Sequence, residues 1–140
     1  MVFSALISLQ LADWLFLVFH TALILFNLFG WMYRPLRKLH LATISLTLLS
    51  WGFLGIWYGW GYCPLTDWHW EILARLGESN PPNSYISYLL DRWLGLDPEE
   101  SLVDLGTLVL AILAFGMSLW VNFRPRSSIH SFICKSSKKT

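Results

Sequence analysis

Gly55-Ile56-Trp57-Tyr58-Gly59-Trp60-Gly61-Tyr62-Cys63-Pro64-Leu65-Thr66-Asp67-Trp68-His69-Trp70 joins the end of a long apolar run to a dense aromatic belt closed by Cys-Pro-Leu-Thr. Trp and Tyr gather at the lipid headgroup level, where an apolar ring with one polar edge suits the boundary. Pro64 has no N–H to offer a continuing helix, so the run stops there. The stretch reads as the point where a transmembrane helix leaves the bilayer. The chain is therefore expected to be an all-α integral membrane protein.

Working outward, a bilayer core takes about 20 consecutive apolar residues to cross. Three segments meet that length: roughly Leu9–Tyr33, Leu39–Tyr62 and Pro98–Phe123. The turn Arg34-Pro35-Leu36-Arg37-Lys38 is basic, as is the far end with Arg124, Arg126, Lys135, Lys138 and Lys139. Lys and Arg mark the cytoplasmic side. The segment Cys63–Ser101 carries Asp67, Glu71, Glu78, Asp91, Asp97, Glu99 and Glu100 against only Arg75 and Arg92. This places the N-terminus outside and the C-terminus in the cytoplasm. The N-terminal Met1-Val2-Phe3-Ser4 lacks the basic start of a secretory signal, so the first helix is expected to remain.

Two short amphipathic helices are expected between the second and third spans. Thr66 or Asp67 can N-cap one that ends at Gly77, and Ser84 can cap one that ends at Gly95. Their apolar residues, Trp68, Ile72, Leu73, Leu76 and then Tyr85, Tyr88, Leu89, Trp93, fall at helical spacing. Asp97-Pro98-Glu99-Glu100 reads as the start of the third span, with Asp97 as cap, Pro98 at the first position and Glu100 at the third. The organisation is thus a three-helix membrane domain over 1–126 with an external cap over 63–97, followed by a flexible basic cytoplasmic tail over 127–140.

Composition narrows the function classes. With 55% hydrophobic and 14% charged residues and a mean hydropathy of +0.49, the chain lies outside the soluble norm. Its few basic residues sit in short flanks and not in a stripe interleaved with aromatics, which excludes nucleic-acid binding. No nucleophile stands beside a base, no carboxylate pair is placed for acid–base work, and no phosphate loop is present, so no catalytic residue is assigned.

Asp13, His20 and Asn27 recur every seven residues on the first helix and share one face, forming a polar seam. An ionisable residue deep in lipid must face a partner helix, a cavity or a ligand. His20 is then either interhelical hydrogen-bonding glue or a ligand to haem, a quinone or a pigment. Counted at about 1.5 Å per residue, His40 falls near the cytoplasmic entry of the second span, well below His20, so the two cannot share one iron, and His69 and His130 lie outside the spans on opposite sides, so no metal site is expected from protein ligands. Arg37, Lys38 and His40 form a cationic group at the cytoplasmic headgroup level, suited to lipid or an anion. Cys63 and Cys134 fall on opposite sides and cannot be bridged, and Cys63 is expected to pack as a small apolar residue. Gly55 with Gly59, and Ala114 with Ser118, offer small-residue faces for helix packing.

The ordered set His20, Phe26, Gly30, Arg37, His40, Trp51 and Cys63-Pro64-Leu65-Thr66 resembles a bacterial membrane family, domain of unknown function 2784, over roughly Asp13 to Leu119. The resemblance implies a small multi-pass protein of the bacterial inner (cytoplasmic) membrane, with the two histidines among its signature positions. It implies no activity. The chain departs from the pattern at Asp67-Trp68, where Glu-Asn-Trp is expected, and at Ser87-Tyr88, where the family tends to carry Glu-His.

The leading expectation is a small accessory or assembly subunit of a larger inner-membrane complex, of respiratory or other electron-transfer type, in contact with lipid and other integral membrane subunits. The alternative is a module binding haem, quinone or pigment at His20. A weaker third is a membrane enzyme acting on lipid or quinone through Cys63.

Overall fold

A computed structural model describes residues 2–59, 61–78 and 81–124, and the tail expected over 127–140, with Arg126, His130, Cys134 and the terminal lysines, lies outside them. The described chain is all-helical. α1 (Val2–Phe29) leads through two short 3-10 turns, Gly30–Met32 and Arg34–Leu36, into α2 (Arg37–Leu49). A π segment (Ser50–Leu54) continues α2 into α3 (Gly55–Tyr58), and together these make one rod. α4 (Pro64–Leu76) and α5 (Tyr85–Leu94) precede α6 (Glu100–Phe123). Three helical stretches, Phe3–Met32, Arg34–Tyr58 and Glu100–Phe123, are long and apolar enough to cross a membrane.

Several boundaries differ from the sequence reading for local reasons. α1 begins at Val2 and not Leu9, because nothing between Val2 and Ser8 breaks a helix. The second rod starts at Arg37 and stops at Gly59, whose φ of 101° no longer supports a helix, short of Tyr62. α4 starts three residues before its expected first turn. Cys63 is its N-cap and accepts from the N–H groups of Thr66 (2.9 Å) and Asp67 (3.3 Å), and Pro64 takes the first position, where a missing N–H costs nothing. Pro64 thus begins a helix, and the one before it ends at Gly59 and not at the proline. α6 is capped at Glu99, whose carbonyl accepts from Leu102 and Val103, so Asp97 and Pro98 lie before the helix.

The other signals hold. Gly77, at φ 94°, closes α4 with Glu78 N–H on Leu73 O at 3.0 Å and Gly77 N–H on Ala74 O at 3.1 Å, a paired C-terminal closure that needs a left-handed residue. Ser84 takes the N-cap position of α5 with its carbonyl accepting from Tyr88 N–H at 3.1 Å and no side-chain cap bond, and the helix closes at Gly95.

Packing sorts the helices into two layers. α2 packs on α6 along the bundle, while α4 packs on α1 and α5 on α6. The buried face of α1 is Asp13, Leu17 and His20, with Ile24 and Asn27 partly covered, and its outward face is apolar and exposed at Leu11, Trp14, Leu15 and Val18. Polar inside and apolar outside is the reverse of a water-soluble amphipathic helix. Leu17, Leu73, Tyr85 and Tyr88 form the central cluster, so the tightest apolar packing joins α1 to α4 and α5. Trp68 and Trp93, two of the apolar residues at helical spacing, are exposed at 59% and 61%. The inward face of α4 is instead Thr66, His69 and Leu73.

Candidate functional site between two buried polar clusters

The first cluster centres on His40, which is completely buried. Its Nε2 lies 2.9 Å from the carbonyl of Asn27, which can only accept, so Nε2 carries the hydrogen. Nδ1 then accepts from the Ser118 hydroxyl at 2.9 Å. One imidazole therefore ties α1, α2 and α6 together with both nitrogens used. Gly30 makes the approach feasible, since a Cβ there would stand 2.8 Å from both the His40 ring and Phe26. Phe26 meets His40 edge-on at 5.7 Å. Asn122 extends the junction by donating to the carbonyls of Ser118 (2.8 Å) and Arg37 (3.2 Å).

The second cluster centres on Asp13. Arg92 holds its carboxylate by two hydrogen bonds, at 2.7 and 3.2 Å, and His69 Nε2–H donates to it at 2.8 Å. His69 is completely buried and its Nδ1 accepts from the Tyr85 hydroxyl at 3.1 Å. Arg92 also donates to the Tyr88 hydroxyl. The result is a Tyr85–His69–Asp13 chain closed by a cation, built from α5, α4 and α1. Burial pushes the Tyr85 phenol up from its usual range. Burial raises Tyr88 as well, against the pull of Arg92. Burial opposes the Arg92 charge, but its bonds to Asp13 and Tyr88 outweigh that and raise its pKa.

Between the clusters lies a cavity of about 440 Å³. α1 lines it with His20, Ile24 and Asn27, and the second rod with Ile44, Thr47 and Trp51. Trp51 stands in the π segment, where Gly55 N–H reaches back to Ser50 O and the extra residue re-aims the helix face. Cys63, Thr66, Ser84 and Tyr85 close one end from the cap, and α6 contributes Asp104, Thr107 and Ala111. His20 is buried and stacks on Tyr85 at 3.8 Å between ring centroids. Its Nδ1 has no hydrogen-bond partner, nor does Asn27 Oδ1. Unpaired buried polar atoms cost free energy, and here two of them belong to cavity-lining side chains.

The polar seam read from the sequence is therefore divided three ways. Asp13 belongs to the ion-paired cluster, His20 to the cavity wall, and Asn27 reaches Thr47 on α2 at 3.0 Å. The cationic group separates: Lys38 is exposed, Arg37 turns its Nε to Trp31 O at 3.1 Å, and His40 points into the bundle. Of the Cys-Pro-Leu-Thr motif, Cys63 and Thr66 line the cavity while Pro64 sets the start of α4 and Leu65 is partly buried beside it. Ala114 and Ser118 are buried in the bundle, whereas Gly59 is exposed and terminates α3, with Gly55 half-buried before it. Among the described residues no three metal-binding side chains converge. Sequence reasoning missed His69, Tyr85, Tyr88 and Arg92 as partners of Asp13. The available signal was the spacing 85, 88, 92, which puts two phenols and a cation near one face of α5.

Fold and site together define a small all-helical protein in which three span-length helices surround a largely apolar cavity closed by two shorter helices. The chain belongs to the family described as Protein of Unknown function (DUF2784), which matches residues 10–123. No curated protein and no solved structure matches it.

Proposed function

We propose that the protein is a multi-pass protein of the bacterial cytoplasmic membrane, and that it binds an apolar small molecule, a lipid or quinone, in the cavity beside His20. The observation that carries this reading is a 440 Å³ cavity whose wall includes a buried imidazole with an unpaired nitrogen. That volume falls within the range of small-molecule sites, and such sites are mostly apolar with a few placed polar groups. Membrane insertion is supported by the inverted polarity of α1 and by the three span-length helices. The orientation, N-terminus outside, rests on the basic turn at Arg34, Arg37 and Lys38 against the acidic segment after Cys63.

Haem suits the cavity less well than a lipid or quinone. Its two carboxylates call for Lys or Arg, and none lines this cavity. Cys63 lines the same space, yet among the described residues no hydrogen bond joins its thiol to a base, so the enzyme reading gains no support.

The accessory-subunit role is the second reading. Gly52 on the second rod and Gly106 and Gly116 on α6 are exposed with open space where a Cβ would stand, so another helix can approach closely at each of these points. Native mass spectrometry of the protein taken from its own membrane tests both. A lone chain or homo-oligomer carrying a small extra mass that is lost in His20→Leu supports the binding reading. A mass containing other subunits and no small molecule supports the accessory one and removes the first.

A further inference from the structure

The lining of the cavity also specifies a headgroup. We infer that the ligand is an uncharged long-chain amphiphile with a hydroxyl head, a lipid alcohol or a quinol, and not an anionic lipid; this rests on the binding reading above.

The first argument is charge. No Lys or Arg lines the cavity, and its one ionisable carboxyl is Asp104. A phosphate or carboxylate head would enter without a counter-cation and past a like charge, at a cost that burial in lipid makes large.

The second argument is the inventory of hydrogens. The Thr47 hydroxyl donates to Thr43 O at 3.0 Å, so it accepts from Asn27 Nδ2, and this fixes the Asn27 amide with Oδ1 left over as an acceptor. The Thr107 hydroxyl donates to Val103 O at 2.7 Å, and Tyr85 donates to His69. At Thr47, Thr107 and Tyr85, then, the hydroxyl hydrogens are spent within the protein and lone pairs remain, as on Asn27 Oδ1, while Trp51, Thr66 and Ser84 carry donors of their own. A hydroxyl head, which both donates and accepts, meets both kinds of group. A hydroxyl brings a donor without charge, whereas an ammonium would have to shed its hydration with the exposed Asp104 as its one counter-charge in the wall. A methyl ether or ester of the same length brings none. The apolar middle of the wall, Leu23, Ile24, Ile44 and Leu108, takes the chain.

One series of probes tests this on the native protein in nanodiscs: a dibrominated eighteen-carbon chain ending in an alcohol, a methyl ether, a carboxylate or an amine. Bromine quenches nearby indoles, and the difference between the native protein and Trp51→Phe isolates the signal from the cavity wall. The alcohol is expected to bind at least about tenfold more tightly than the other three, the scale of one hydrogen bond made in a buried site. Asn27→Leu is expected to bring the alcohol down to the level of the ether. Equal binding of all four heads would leave the cavity reading standing and overturn the headgroup inference, as would tighter binding of the carboxylate or the amine. Absence of any Trp51-dependent quenching would overturn the cavity reading itself.

Discussion

His40 and His20 are both buried histidines in span-length helices, and they differ in what their nitrogens do. His40 has both committed, to a carbonyl on α1 and a hydroxyl on α6, and Gly30 is cut away to let it in. His20 stacks on Tyr85 and keeps Nδ1 without a partner. A saturated polar group in an apolar medium is structure, because every bond it makes joins helices that would otherwise slide. An unsaturated one is a cost the fold carries, and the wall of a cavity is where such a cost can be recovered by a ligand. The Asp13 cluster sides with His40, since every member has a partner, but it adds charge.

The largest effect should come from the charged cluster. Asp13→Ala leaves His69, which cannot reach water, and Arg92, which can, without their acceptor. The Arg92 side chain is 26% exposed, so it can swing outward and soften the loss. A decrease in stability of about 3 kcal/mol is expected, at the low end for breaking a buried pair. Denaturation by dodecyl sulfate in micelles, followed by Trp fluorescence, measures it. A loss below about 1 kcal/mol would mean that the cluster behaves as a surface ion pair and would break the parallel with His40.

His40→Leu comes next, at roughly 2 kcal/mol, because it strands the Asn27 carbonyl and the Ser118 hydroxyl in the bundle. The same titration reads it. Ser118→Ala in addition should cost little more, since the two residues form one junction and their effects are not additive. Full additivity of the pair would show that His40 is not acting through Ser118.

Tyr85→Phe should cost about 1 kcal/mol at neutral pH by removing the donor to His69. It also has a pH signature. Burial raises the folded pKa of Tyr85, so the neutral phenol is favoured in the native state. Stability from this group is complete below the unfolded phenol's pKa, about 10, and is lost as pH rises toward the folded value. Tyr88 shifts in the same direction, so the variant should shorten the alkaline loss without abolishing it. Unfolding midpoints measured between pH 8 and 11 decide this, and an unchanged alkaline limb would take Tyr85 out of the buried cluster.

How far the sequence reveals this design depends on the range of the contact. The three long helices are legible because each is a continuous apolar run of span length, and the C-terminal ends of α4 and α5 because Gly77 and Gly95 act locally. The seven-residue spacing placed Asp13 and His20 on the inward face of α1. His40 was hidden by its neighbours: at about 100° per residue, it lies about 200° around the helix from Lys38, so chain proximity was no guide to a shared surface. His69 and Arg92 were out of reach for another reason. They meet Asp13 across 56 and 79 residues, through the way α4 and α5 fold back on α1, and nothing in the local pattern of either helix encodes that partner.

The smallest stability change, and the sharpest test of the contrast between the histidines, is His20→Leu. Leucine forfeits the ring stack on Tyr85, worth about 0.5–1.5 kcal/mol. It also removes a buried nitrogen that has no partner, which relieves about 1–3 kcal/mol of desolvation. The two terms oppose each other and are of similar size. Stability should therefore stay close to that of the native protein, or rise slightly, while retention of the small molecule falls. The same denaturation assay, run beside native mass spectrometry, separates these readouts. A loss as large as that of His40→Leu would mean that the His20 nitrogen is held by the protein after all. His20 would then be a second helix junction, and of the two unpaired polar atoms on cavity-lining side chains only Asn27 Oδ1 would be left to meet a ligand.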